Sequence, residues 1–241
     1  MQWSMGEEYL AYTRRRYDEL RVVRPDAFHN PDPNGIVILT NEEEIYAAEQ
    51  EIAERMIEQN RPADWSRAGL FYEDPWIYVT RDVVRFPSKD LGTYHHIIMK
   101  GGSDGVVILP VINGKVVLIR HFRNGLRNWT IEVPRGAPAK DLSSSDNARQ
   151  EIIEEIQGKI SHLEYLGPMH NNNGLVSETM QVYFAELSEI GNPNLSEGID
   201  AIIQRTPAEF EKMIAQGEIT DCHTIVAYSL ARLRDFLPSS K

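Results

Sequence analysis

The chain has 241 residues, a formal charge of −11 and 41% hydrophobic residues, long enough to bury a substantial core and to hold one domain plus an extension. Acidity on this scale excludes nucleic-acid binding through a general basic footprint, so a polyanionic substrate would need local basic residues and cations to approach. The single cysteine, Cys222, excludes an internal disulfide, no run reaches the ~18 apolar residues of a membrane span, and Met1–Glu8 lacks the regions of a signal peptide, so a cytoplasmic protein without membrane contact is expected.

In chain order, Glu7 to Val22 is a charged helical pattern with a partial apolar stripe of Tyr9, Leu10, Tyr17 and Leu20. Pro25 and the stretch His29 to Gly35 break it. A short strand, Ile36 to Leu39, precedes a strong helix that Thr40 or Asn41 caps and that runs to about Gln59 before Arg61-Pro62. Residues 1–75 thus read as an N-terminal, mainly helical extension. From Trp76 the pattern becomes β-rich: Ile77–Thr80, Val83–Phe86, Tyr94–Met99 and Gly105–Leu109 predict strands. Lys115–Arg120 follows an Asn113-Gly114 turn, a strong hairpin signal. His95 and His96, inside one of these strands, read as structural histidines.

Trp129 to Gly136 is an apolar strand pattern stopped by Pro134 and Gly136, with Trp129 assigned to the core. A polar loop from Ala137 leads to Ser145 or Asp146, either of which can cap the helix that follows. In that helix Glu151, Glu154 and Glu155 stand at i, i+3 and i+4, three carboxylates on one narrow face, while Ile152, Ile153 and Ile156 give the adjoining face something to bury. Like charges crowded in this way suit either a solvated acidic stripe or an oxygen-only site for magnesium or manganese. Strands near His162–Leu166 and Met180–Glu186 follow. Helices Pro207–Gln216, and His223–Phe236 with Cys222 as a small packing residue beside it, close a predicted α/β fold with a mixed, mainly antiparallel sheet.

Gly136, the loop and Glu151-Ile-Ile-Glu154-Glu155 resemble the Nudix box of the Nudix hydrolases, which runs Gly, five residues, Glu, seven residues, Arg-Glu, an aliphatic residue, any residue, Glu-Glu, any residue, Gly. Leu142, Gln150 and Gln157 stand where that box has Glu, Arg and Gly, and Gly158 comes one step late. His121-Phe-Arg123 with Ile131-Glu132-Val-Pro-Arg-Gly136, Gly174-Leu-Val-Ser177-Glu178 with Gln181 to Ala185, and the closing segments from Thr206 and Thr224 are similar to elements of the ADP-ribose and nucleotide-sugar pyrophosphatases. The match covers about Trp76 to Leu237.

The resemblance implies an α/β/α sandwich over residues 76–241 and hydrolysis of the pyrophosphate bond of a nucleoside diphosphate linked to another moiety, ADP-ribose or a nucleotide sugar, with Mg²⁺ or Mn²⁺. It implies Glu151 and Glu155 as primary metal ligands, Glu154 as a supporting or bridging metal ligand with a catalytic role, and the Arg135 carbonyl completing the coordination. Glu178 is implied as general base, with His170 and Asn171–Asn173 beside it as a polar alternative. Arg123, Glu132 and Arg135 are implied at the substrate, Lys100 and Arg120 are weaker attractors of the anion, and a homodimer is implied as the assembly. A catalytically weakened ligand sensor or scaffold, for which Leu142, Gln150 and Gln157 speak, is the alternative. A dedicated pathway nucleotide, with residues 1–75 shaping its pocket, is a third.

Overall fold

The computed structural model describes residues 6–102, 104–139 and 141–237, and these form two compact units. The first comprises Met1–Lys100 with Gly174–Ser177, and the second Gly101–Asn173 with Glu178–Lys241.

In the first unit, α1 (Glu7–Val23) packs Tyr17 and Leu20 inward. β1 (Val37–Ile38) and α2 (Glu42–Glu58) follow. Asn41 caps α2 by accepting the Glu44 N–H, and three glutamates in its first turn sit well at the positive end of the helix dipole. β2 (Gly69–Glu73), β3 (Ile77–Arg85) and β4 (Leu91–Met99) complete a four-stranded sheet in which β3 pairs with β1, β2 and β4. Gly174–Ser177 joins it through the Ile97–Val176 bridge. This unit is therefore not simply helical, and the strands expected beyond residue 76 pair here: Ile77 faces Met99 and Arg85 faces both Leu91 and Val37. The two runs Ile77–Thr80 and Val83–Phe86 are one strand. Asp82, buried inside it, accepts from the Tyr17 hydroxyl at 2.8 Å and from Thr80 at 3.1 Å, so the buried charge has partners. His96 stands 3.6 Å from the same carboxylate, the structural role expected of it, while His95 is exposed.

The second unit begins with β5 (Asp104–Ile112) and β6 (Lys115–Arg123). Asn113 (φ 50) and Gly114 (φ 74) both lie in the left-handed region that a two-residue hairpin turn requires. The expected strand from Trp129 splits into β7 (Asn128–Glu132) and β8 (Arg135–Gly136). Then come α3 (Ser144–Ile156), β9 (Lys159–Met169), β10 (Thr179–Glu189), β11 (Ile199–Arg205), α4 (Pro207–Ala215) and α5 (Cys222–Leu233). The sheet order is β11-β6-β5-β10-β9, with β7 added to β6 and β8 to β5. Only β5 and β10 run parallel, from Asp104 against Thr179 to Val111 against Glu186, so the sheet is mixed and mainly antiparallel, as expected.

Alternation along β5 produces three layers, because successive side chains point to opposite faces. Val106 and Ile108 pack with Ala148, Ile152 and Ile156 of α3, whereas Val107 and Leu109 pack with Phe210, Met213, Ala227 and Ala231 of α4 and α5. Each fully buried isoleucine of α3 contributes on the order of 2–3 kcal/mol.

Candidate active site

The site is built where α3 crosses the short strand β8. The helix starts one turn earlier than expected: Ser143 is its cap, accepting the Asp146 N–H at 3.1 Å. Its far end turns at Gln157, which takes φ 50, a conformation glycine adopts without strain. A glutamine there gives up about 1 kcal/mol, offset where its side-chain oxygen accepts the Asn192 N–H at 3.3 Å.

At about 100° per residue, the three glutamates grade from core to solvent. Glu155 lies nearest the Ile152–Ile156 stripe and is 2% exposed, Glu151 is half-buried, and Glu154 is exposed. Glu154 accepts a hydrogen bond from Gln150, the residue standing where the resembling box has arginine. Glu151 lies over Gly136 so closely that a Cβ there would stand 1.9 Å from its Oε1. The Arg135 N–H donates to Glu155 Oε2 at 3.3 Å. Burial, then the neighbouring Glu154 and Glu197, push the Glu151 carboxyl up to about 7. Burial, then Glu151, push that of Glu155 up to about 9, with Arg123 opposing and Glu197 and Glu132 adding.

Beside this acidic pair lies a basic cluster arranged on Glu132, which is 1% exposed. Arg123 is ion-paired to its Oε1, Arg135 Nε and His121 Nδ1 stand 3.5 and 3.6 Å from the same oxygen, and Thr130 donates to Oε2 at 2.6 Å. Two guanidiniums on one carboxylate leave an excess positive charge. Arg123 Nε, Arg135 Nε and His121 Nδ1 are buried without a hydrogen-bond partner. Burial and then Arg123 hold the His121 imidazole below its ordinary value, with Glu132 opposing. The expected substrate residues Arg123, Glu132 and Arg135 thus do come together, next to Glu151 and Glu155.

Glu178 does not join them here. Its Oε1 lies 3.0 Å from where a Gly105 Cβ would be, beside Met180, on the face of β5 that α5 covers, and Asn171 donates to its Oε2 at 3.2 Å. Gly136 pairs with the adjacent Val106, whose side chain faces α3, so Glu151 and Glu178 flank opposite faces of one strand. His170 stands 3.5 Å from Thr179. Lys100 is occupied in the first unit by Glu73 at 3.5 Å and by the Tyr78 ring. Arg120 lies over the Trp129 ring and 3.5 Å from Asp200. Trp129 is not a core residue: it is 38% exposed on the β6–β7 hairpin, edge-on to Phe122. Cys222 is likewise exposed rather than packed, and Leu142 is exposed on its loop.

Two features escaped sequence reasoning. Glu197, in a short turn before β11, acts electrostatically on both Glu151 and Glu155. Among the described residues, Asp221, Cys222 and His223 place their donor atoms within 4.8 Å of one another, whereas Glu151, Glu154 and Glu155 form no such trio. Asp221 is already committed to capping α5: burial opposes its charge, but hydrogen bonds from His223 and Thr224 outweigh that and keep it ionised.

No protein-family model matches the chain. It is 24% identical over 141 residues to the ADP-ribose pyrophosphatase of Bacillus subtilis (strain 168), covering 56% of this chain and 76% of that protein. To the methanol dehydrogenase activator of Bacillus methanolicus it is 25% identical over 139 residues, covering 55% and 74%. To the GDP-mannose pyrophosphatase of Cronobacter sakazakii (strain ATCC BAA-894) it is 22% identical over 170 residues, covering 66% and 88%. Among solved structures, the crystal structure of an ADP compounds hydrolase superposes with a TM-score of 0.61 at 16% identity, over 70% of this chain and 91% of that one. The α/β fold implied by the sequence resemblance is the fold observed.

Proposed function

We propose that the chain is a divalent-cation-dependent hydrolase that cleaves the pyrophosphate bond of a nucleoside diphosphate joined to another moiety, with ADP-ribose and nucleotide sugars as first substrates. The observation that carries this reading is the juxtaposition of two carboxylates, half-buried Glu151 and buried Glu155, with a cluster holding more guanidinium than carboxylate charge. Similarity to two pyrophosphatases supports the same chemistry.

The residues fit a hard cation. The donors are all oxygen, and Gly136 leaves the space a Cβ would fill beside Glu151. Magnesium or manganese would be held by Glu151 and Glu155, with the Arg135 carbonyl beside them. When bound, such a cation neutralises the diphosphate and makes water more acidic. Arg123 and Arg135 offer unpartnered N–H groups in a planar fork suited to phosphate oxygens. Glu132 holds both forks in place. Water adds to one phosphorus and the bridging P–O bond breaks, releasing a nucleoside monophosphate and the phosphorylated second moiety.

The test is incubation of the pure chain with Mg²⁺ and a panel of ADP-ribose, nucleotide sugars and dinucleotides. Magnesium-dependent release of a nucleoside monophosphate is expected. No turnover by the wild type or by Gln150→Arg would overturn the reading.

Gly136→Ala probes the same geometry. Its methyl occupies the position of the Glu151 carboxylate, so the side chain must swing away while the fold keeps its strand pairing. Turnover is expected to fall on the order of 10-fold or more with little change in melting temperature, as for other disturbances of ligand orientation. An unchanged rate would show that Glu151 has no fixed task at this spot.

A further inference from the structure

We propose that Thr224, buried in α5, is a positioning residue of the candidate site: its hydroxyl fixes the corner between β7 and β8, which carries Glu132 on one side and Arg135 on the other. The inference rests on the hydrolase reading of that site.

The corner is Val133-Pro134, between the last residue of β7 and the first of β8. From Val133 onward, three successive residues are tied through their main chain to three different elements. The Val133 N–H donates to Thr224 Oγ1 of α5 at 3.0 Å. The Pro134 carbonyl accepts the Ile108 N–H of β5 at 3.0 Å, and the Arg135 N–H donates to Glu155 Oε2 of α3 at 3.3 Å. Val133 and Thr224 are both 0% exposed, so a Val133 N–H deprived of this hydroxyl is cut off from bulk water.

The hydroxyl is itself held. It donates to Asp221 Oδ2 at 2.7 Å, and the same oxygen accepts the Thr224 N–H at 2.8 Å as the cap of α5. With its one proton given to a carboxylate, Oγ1 has only lone pairs left to offer, which is what an N–H donor requires.

What the corner positions follows from its flanks. On one side Glu132, 1% exposed, holds Arg123 and Arg135 by charge. On the other, Arg135 and Gly136 pair with Val107 and Val106, and Glu151 lies over Gly136. A displaced Val133 therefore shifts the guanidinium cluster relative to the Glu151–Glu155 pair. A substrate has to meet both at once, so a displacement far smaller than unfolding slows the reaction.

The experiment compares Thr224→Val, which keeps the shape and loses the hydroxyl, with Thr224→Ser, which keeps the hydroxyl. Tyr228→Phe is the control, because it removes hydroxyl bonds of 3.2 and 2.9 Å to Pro207 and Glu211 from the same helix. Rates are taken with ADP-ribose and Mg²⁺ at a temperature where melting shows every variant folded. In Thr224→Val, kcat/KM should drop about 10-fold or more. Thr224→Ser should recover most of that loss, and Tyr228→Phe should show none. Amide hydrogen exchange in EDTA reads the corner without substrate or metal: the Val133 N–H should exchange about 10-fold faster or more in Thr224→Val and stay protected in Thr224→Ser. Unchanged exchange or an unchanged rate in Thr224→Val, a Thr224→Ser as slow as Thr224→Val, or an equal loss in Tyr228→Phe would overturn the positioning role and leave the hydrolase reading standing. A wild type without turnover would remove both. Should Thr224→Val fail to fold, Thr224→Ala against Thr224→Ser gives the same comparison.

Discussion

Glu155→Gln is expected to lower turnover on the order of 10²-fold or more while leaving the apo chain at least as stable as the wild type. The amide matches the carboxyl in shape, and its oxygen can still accept the Arg135 N–H that Glu155 accepts at 3.3 Å. What disappears is a carboxyl that the apo fold must keep protonated, since Glu155 is 2% exposed, is pushed up to about 9, and faces Glu151, Glu197 and Glu132 with Arg123 opposing. An amide is neutral at every pH and needs no such proton, whereas removing a cation's ligand disables the transition state. Steady-state rates with ADP-ribose and Mg²⁺, alongside melting in EDTA, separate the two effects. A variant that melts well below the wild type, or that retains its rate, refutes the assignment.

Without divalent cations, stability should fall as pH rises from about 5 to about 9, by on the order of several kcal/mol. Unfolded, Glu155 titrates near its ordinary 4.5; folded, near 9. Between these values the folded chain holds a proton that the unfolded chain has lost, so raising the pH favours unfolding. Below the ordinary value both states are protonated and nothing is lost. Glu151, raised to about 7, acts with the same sign over the lower part of the window. Magnesium should reverse the loss at high pH, because a ligand present at 100 times its dissociation constant stabilises by about 2.7 kcal/mol. Urea midpoints at pH 5, 7 and 9, in EDTA and in Mg²⁺, measure both effects. Glu155→Gln should flatten most of the slope, and a wild-type midpoint independent of pH would contradict the buried-charge account.

Local signals carried much of the fold. The Asn113-Gly114 turn, the apolar runs of β5 and β6 and the 3.6-residue spacing of α3 depend only on near neighbours in sequence, and each stands where expected, except that Ile153 is 60% exposed and leaves the buried face to Ile152 and Ile156. Gln157 shows the same legibility from the other side, since it takes a left-handed backbone at the position where the resembling box has glycine. What was illegible depended on pairing across long separations. The affiliation of β3 and β4 with the first unit follows from β1 and β2 pairing on β3, and β2 itself, Gly69-Leu-Phe-Tyr-Glu73, carries too short an alternation to announce a strand. Trp129 was assigned to the core, yet on the hairpin it sits on it is 38% exposed. Glu197 belongs to no periodic segment. Only the register that sets Ile199 against His121 carries it to the acidic pair. Glu178 was placed by motif alone, and strand alternation put it across β5 from Glu151.

The parallel pairing of β5 with β10 also governs when the candidate site can form. Asp104 and Thr179 meet only after the whole intervening stretch, with β6 to β9 and α3 inside it, has been made and looped back. Closing so wide a loop carries an entropic toll that short hairpins escape, which makes this contact a late event in folding. Until it forms, α3 has only part of the floor on which Ile152 and Ile156 rest, since Tyr183 and Ala185 of β10 belong to that floor. In a nascent or partly opened chain Glu151 and Glu155 are therefore not yet held against β8, and the proposed cation site arises only in the finished molecule.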